Sequence, residues 1–405
     1  MAFRVRTVRD AEEYRSALGA IGHYFGWAPT PEDGERFAPL LPFERTHAVF
    51  DDGRVVAGAG VFPFEMTVPG GSVRCAGVSV VGVLPSHRRR GLLRRMMEAQ
   101  LADVRERGEP IAALWASEET IYGRFGYGLA SLGLHVDAER RAVAIRRDLP
   151  LEGRVRLVDH DEALRLFPRL YDRVARGRAG MIVRTRQWWE TRRLDDAPDR
   201  RRGGGPLHRA LLERDGRPVG YALYRLVQEG STPASWKKTI RVLEAFGVDR
   251  GATRDIWRFL LEIDWIDRIA AFGLPLDHPL PLLVDRVNKL NLTIWDALWV
   301  RLVDVQAALA ARTYASGRTT VEVVGDPQFG DNVGTWTIED GSVSRRRRRP
   351  DVRVRVDGLG SVYLGGFSFD GLVAAGLGEE GTRGGAGRAD AVFRTALQPW
   401  GAENF

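Results

Sequence analysis

The sequence predicts an α+β chain of three modules, and three observations carry that reading. A strand–helix–strand order occurs twice, first over residues 73–115 and again over residues 240–272. From about Trp295 the pattern changes to a meander of short strands followed by helices. The length, 405 residues, suits two or three domains of ordinary size.

In the first module, residues 5–8 read as a short strand, and residues 10–24 carry helical spacing with Asp10 placed to cap it. A proline-rich connection (Pro29, Pro31, Pro39, Pro42) leads to strand-like runs at 47–50 and 55–68, joined by a turn at Asp51-Asp52-Gly53. A valine-rich run follows at 73–84, then a helix over about 89–107 and a buried strand at 111–115. A short helix containing 118–125 and a strand at 129–136 complete the module. Pro150 and Gly153 mark a boundary, after which the pattern restarts. It gives a strand at 155–158, a helix over 161–176 closed by Gly177, a glycine-rich loop at 200–206 and a hairpin of 207–213 with 219–227. Strand 240–248, helix 253–263 and strand 268–272 then repeat the first module's order. The third module predicts a helix over 303–312, strands at 319–324, 334–339 and 352–356, and helices near 369–375 and 389–397. The modules are placed at residues 1–150, 151–298 and 299–405.

Composition narrows the class. With 44% hydrophobic and 28% charged residues, a disordered or fibrous chain is excluded. No apolar stretch approaches the roughly 18–20 residues of a membrane span, and the N-terminal residues lack an apolar signal core, so a cytoplasmic location is expected. The single cysteine, Cys75, rules out an internal disulfide and a multi-cysteine metal site, and the seven histidines show no ligand spacing; no metal is expected. Of the net charge of +7, five charges sit in Arg345–Arg349. That run lies between a Glu-Asp-Gly turn and an alternating Val/Arg segment, with no interleaved aromatics. It reads as the solvent face of a hairpin rather than a nucleic-acid patch.

Arg88, Arg89 and Arg90 have a different context. A valine-rich strand stops at Pro85, the arginines form a turn, and a helix starts near Gly91. Unpaired backbone N–H groups at a helix N-terminus attract anions, a glycine permits close approach, and guanidiniums add charge-assisted hydrogen bonds. The corresponding loop of the repeat, Gly247-Val248-Asp249-Arg250-Gly251-Ala252, lacks the arginine-rich turn of the first copy, so the second copy reads as having lost its site.

The turn Arg88-Arg89-Arg90-Gly91-Leu92-Leu93, preceded by Val83-Leu84-Pro85, resembles the R-x-x-G-x-G/A turn with which the GNAT superfamily of N-acetyltransferases binds the pyrophosphate of acetyl-CoA. Together with Ala116-Ser117-Glu118 and Ile121-Tyr122-Gly123-Arg124-Phe125-Gly126-Tyr127-Gly128, it is similar to the Eis (enhanced intracellular survival) family. The resemblance implies an N-terminal GNAT domain, a degenerate GNAT-like domain and a sterol-carrier-protein-like C-terminal domain. It implies that acetyl-CoA is held by Val81, Gly82, Val83, Arg89, Arg90, Gly91, Leu92, Leu93, Arg94, Ser117 and Glu118. Tyr122 takes the part of proton donor, and the C-terminal carboxylate of Phe405 that of proton acceptor. The acceptor it implies is a primary amine of an aminoglycoside-like polycation or a lysine side chain, and the assembly it implies is a homohexamer. Trp115 and Asn404 depart from residues common in the family. Two other classes stand as alternatives: a lipid- or small-molecule-binding protein acting through the C-terminal domain, and a nucleic-acid binder acting through Arg345–Arg349.

Overall fold

The computed structural model describes residues 3–146, 150–232 and 235–405. Two seven-stranded sheets and one five-stranded sheet form the framework. The first runs in the order Arg4–Thr7, Thr46–Asp51, Arg54–Val68, Gly71–Val83, Ile111–Trp115, Leu298–Leu302, Gly128–Leu129. Its pairings are antiparallel except for Gly71–Val83 with Ile111–Trp115, a parallel pair joined by the helix Leu92–Glu106. The second sheet runs Thr293–Asp296, Leu132–Glu139, Arg268–Pro275, Lys237–Gly247, Arg217–Glu229, His208–Arg214, Arg154–Leu157. It repeats the plan: Lys237–Gly247 and Arg268–Pro275 are parallel and joined by the helix Arg250–Glu262.

The two halves exchange strands. Leu298–Leu302, which follows the second repeat, pairs along Ile111–Trp115 of the first sheet. Leu132–Glu139, which follows the first repeat, pairs along Arg268–Pro275 of the second. Sheet membership therefore crosses the sequence-based division at 150 and 298. Alternating hydrophobicity marks a strand but carries no information about its neighbour, so the exchange leaves no trace in the periodicity.

The third module has a sheet in the order Ser342–Arg345, Gly334–Glu339, Arg318–Val323, Val352–Val354, Gly378–Glu380. Its core is continuous with that of the first sheet, Val321, Leu359 and Phe369 sharing one cluster with Leu298, Phe64 and Met66. Several elements differ from expectation, and the strand expected at 129–136 is divided between Gly128–Leu129 of the first sheet and Leu132–Glu139 of the second. The strand expected to reach Val356 stops at Val354, and the helix Val356–Tyr363 begins. Gly358 and Gly360 lower its helix propensity and conceal it. Packing requires the glycine: a Cβ on Gly360 would lie 2.3 Å from the carbonyl oxygen of Val300. Arg345–Arg349 lie at the end of a hairpin and are all exposed. Among the described residues no helix is long and apolar enough to cross a membrane.

Candidate active site

The parallel strands Gly71–Val83 and Ile111–Trp115 are in register only from Cys75/Ile111 to Gly77/Ala113, and then separate. Beyond that point Gly71–Val83 carries a bulge. Gly58 faces Gly82 and Gly60 faces Ser79, which leaves Val80 and Val81 opposite Ala59 alone. Val80 has φ of 50°, a costly value for a β-branched residue, which marks the bulge as a constrained part of the cleft. Gly82 is needed because the helix Ala11–Gly22 lies directly on it: a Cβ there would be 2.6 Å from the nitrogen of Ile21. The carbonyl of Val83 accepts a hydrogen bond from the Tyr24 hydroxyl at 2.6 Å.

The strand leads into the arginine turn. Arg89 (φ 61°) and Gly91 (φ 73°) both adopt left-handed backbone, and Gly91 caps the helix Leu92–Glu106 with no side chain bonded to its first N–H groups. The donors of this first turn are available to an anion, with Arg89, Arg90 and Arg94 exposed around them. In the second half Asp249 occupies the cap position, and its carboxylate accepts from the nitrogen of Ala252 at 2.7 Å. There the chain supplies its own anion. Ser117 and Glu118 are exposed beyond the strand Ile111–Trp115.

Tyr122 and Phe405 reach this region from opposite faces of the sheet. Tyr122 packs with Ala76, Val78 and Leu114, while Phe405 belongs to the cluster holding Cys75, Phe62 and Phe64; adjacent strand positions face opposite ways. The Tyr122 ring is buried, and burial pushes its phenol up to about 12. Its hydroxyl has no hydrogen-bond partner among the described residues and is not sealed from solvent. Tyr127, with its ring 6.1 Å away, is sealed and unpartnered, which fits a packing role. The Phe405 ring sits 4.9 Å from Phe64 and 6.3 Å from Phe62. Gly77 makes room for that pair, since a Cβ there would meet the Phe64 ring at 2.4 Å. The terminal carboxylate has no ion-pair partner among the described residues.

Other singled-out residues separate clearly. Cys75 is fully buried and burial raises its thiol pKa, so it is a packing residue. Trp27 and Phe37 lie 6.3 Å apart against the core, whereas Phe25 is 67% exposed. Asp33 closes a capping box with Thr30 and pairs with Arg36. Trp115 lies 5.9 Å from Phe272, with its indole N–H sealed and unpartnered. Among the described residues no group of three His, Cys, Asp or Glu is arranged to hold a metal.

Sequence reasoning missed a buried charge cluster that grips the tail. Arg184 pairs with both Glu244 and Glu403, Arg193 pairs with the same two carboxylates, and the Tyr221 hydroxyl donates to Glu244 at 2.8 Å. Burial opposes the charge on Glu244, but the arginines outweigh it and keep its pKa below the usual carboxylate value. Arg184 and Glu403 are 219 positions apart, so no local signal could have joined them.

Comparison with known proteins agrees with this fold. Residues 4–130 and residues 180–302 each match a family described as "Acetyltransferase (GNAT) domain", and residues 305–402 match "Sterol carrier protein domain". An "Uncharacterized N-acetyltransferase" of Streptomyces avermitilis is 38% identical, covering 96% of this chain and 95% of the relative. "N-acetyltransferase Eis" of Mycobacterium tuberculosis is 36% identical over 85% of both chains. The crystal structure of Eis1 from Mycobacterium abscessus superposes with a TM-score of 0.85 at 33% identity, covering 99% of this chain and all of that one. A GCN5-related N-acetyltransferase from Anabaena variabilis shares the fold, with a TM-score of 0.83 at 21% identity over the full length of both chains. With two GNAT modules followed by a sterol-carrier-like domain, this chain is an N-acetyltransferase and belongs to the Eis family of the GNAT superfamily.

Proposed function

We propose that the chain transfers the acetyl group of acetyl-CoA directly to a primary amine at the divergence of strands Gly71–Val83 and Ile111–Trp115. What supports this reading is a helix N-terminus with no side-chain cap beside exposed arginines, with a buried tyrosine whose hydroxyl has no partner among the described residues and a buried C-terminal residue packed on Phe62 and Phe64.

Acetyl-CoA, the co-substrate of GNAT domains, supplies an activated acyl thioester. Its diphosphate fits the first-turn N–H groups of the helix Leu92–Glu106 and the side chains of Arg89, Arg90 and Arg94, with Gly91, Leu92 and Leu93 giving the backbone. The backbone of Val81, Gly82 and Val83 lines the exposed edge of the bulged strand, and Ser117 and Glu118 stand on the other side. Tyr122 holds its proton across the physiological range, because burial keeps the phenol neutral, and donates it to the departing thiolate. The Phe405 carboxylate takes the proton of the attacking amine, its ring anchored by Phe62 and Phe64. No other carboxylate or histidine of the first module stands in a catalytic motif.

Aminoglycoside-like polycations and lysine side chains are the acceptors to try first, and the homohexamer implied by the family and the cytoplasmic location expected from the sequence belong to the same reading. The test follows coenzyme A release from acetyl-CoA across a panel of polyamines, aminoglycosides and lysine peptides. Turnover of at least one amine that is lost on adding a glycine after Phe405, with acetyl-CoA affinity retained, is the expected result. Full activity in the extended chain would refute the role of the terminal carboxylate.

A further inference from the structure

The second half keeps the framework of a cofactor cleft, and that cleft is filled. Its parallel strands pair from Thr239/Arg268 to Val242/Ala271 and then diverge, as their counterparts do in the first half. The C-terminal tail enters the gap. The Trp400 indole N–H donates to the carbonyl of Gly273 at 2.8 Å, and its ring lies 4.8 Å from Phe246. The space left beside Trp400 and Ala402, about 20 Å³, has room for about one water molecule and for no cofactor.

From Gln398 to Glu403 the tail is held by residues of the second half. Arg178, paired with Asp277 at 2.6 Å, donates to the carbonyl of Gln398 at 3.0 Å, and Asp277 accepts from the nitrogen of Gln398 at 3.1 Å. The nitrogen of Trp400 donates to the carbonyl of Ala179 at 2.8 Å. Glu403 then enters the cluster of Arg184, Arg193 and Glu244. The side chains of Glu403 and Glu244 are 2% exposed and that of Arg184 is 0% exposed. Two guanidiniums balance two carboxylates, so removing one member leaves a buried charge uncompensated and the geometry is sharply defined. Only two residues separate Glu403 from the chain end, a reach of at most about 7 Å. Fixing Glu403 therefore confines the terminal carboxylate, whose own ring is seated on the first sheet.

We propose that the disused cofactor cleft of the second half is a socket for the tail, with Trp400 and Glu403 as positioning residues that place the Phe405 carboxylate in the first half's active site. This rests on the reading of that carboxylate as proton acceptor. It assigns a task to a module whose anion site is closed by Asp249 and whose strand divergence is plugged by Trp400.

The test compares the full-length protein with Glu403→Gln, Glu403→Asp, Trp400→Phe and a chain extended by one glycine. Steady-state kinetics with a fixed amine and melting temperatures are recorded for each. Glu403→Gln is expected to lower kcat about 10- to 100-fold with the acetyl-CoA KM within about twofold, on the scale of general-base loss. Glu403→Asp should recover part of the rate, and added formate should restore part of it in Glu403→Gln, which repair of a mere folding defect would not do. Trp400→Phe keeps the ring and removes the bond to Gly273; it reads the same positioning if Glu403→Gln fails to fold. Wild-type kcat in both Glu403→Gln and Trp400→Phe, with the extended chain inactive, would overturn the socket and leave the terminal base standing. Wild-type kcat in the extended chain as well would overturn both.

Discussion

In the proposed mechanism Tyr122 concentrates the chemistry in one side chain. Its phenol is buried, without a hydrogen-bond partner among the described residues and pushed up to about 12, so it stays protonated where a free tyrosine, near ~10, would be half ionised. Tyr122→Phe should lower kcat about 100- to 1,000-fold while leaving the acetyl-CoA KM within about twofold, because the ring still fills its site. In the native enzyme kcat should show no alkaline fall up to about pH 10, a limit set by the raised phenol. A pH profile through that range checks it. Tyr122 was singled out because Ile121-Tyr122-Gly123-Arg124-Phe125-Gly126-Tyr127-Gly128 resembles the Eis family, since a tyrosine on a helix face by itself reads as core packing. The hydroxyl's freedom was not legible, since it depends on what every neighbouring element fails to offer.

At the scale of elements, the two helix starts form a matched pair. The helix Leu92–Glu106 is capped by Gly91 and left open; the helix Arg250–Glu262 is capped by Asp249 and closed. Copying the second into the first, Gly91→Asp places a carboxylate where a diphosphate would bind. An aspartate tolerates the φ of 73° better than most residues, so the chain should still fold. The acetyl-CoA KM should rise about tenfold or more, and more at low salt, measured by titration or kinetics. This contrast was readable in advance, since an arginine turn and a Gly-Val-Asp loop differ plainly in letters. The helix Val356–Tyr363 was not, because its glycines serve the strand it presses against rather than its own propensity.

Across the whole molecule, stability should depend on pH through His278. It is 6% exposed, and burial, with Arg178 nearby, pushes its pKa down to about 3. Below about 6.5 the unfolded chain takes up a proton that the folded chain refuses, so stability falls as pH drops from there toward 3. The melting temperature should be lower at pH 5 than at pH 7, and His278→Gln should shrink the difference. The three modules and their order could be read from the letters. How the sheets share strands could not, because pairing partners lie far apart along the chain: Trp115 pairs with Leu298 and Leu134 with Leu274.

That exchange binds the fate of both halves. A fragment ending before Leu298 lacks the strand that continues its own sheet, and should show little native circular dichroism until a peptide spanning 293–302 is supplied. Chimeras between relatives face the same arithmetic. A crossover placed between the halves creates two foreign seams at once, one along Ile111–Trp115 and one along Arg268–Pro275. Recombination should therefore tolerate junctions in the third module far better than in the middle of the chain, and a half so interlocked cannot be shed by a simple deletion.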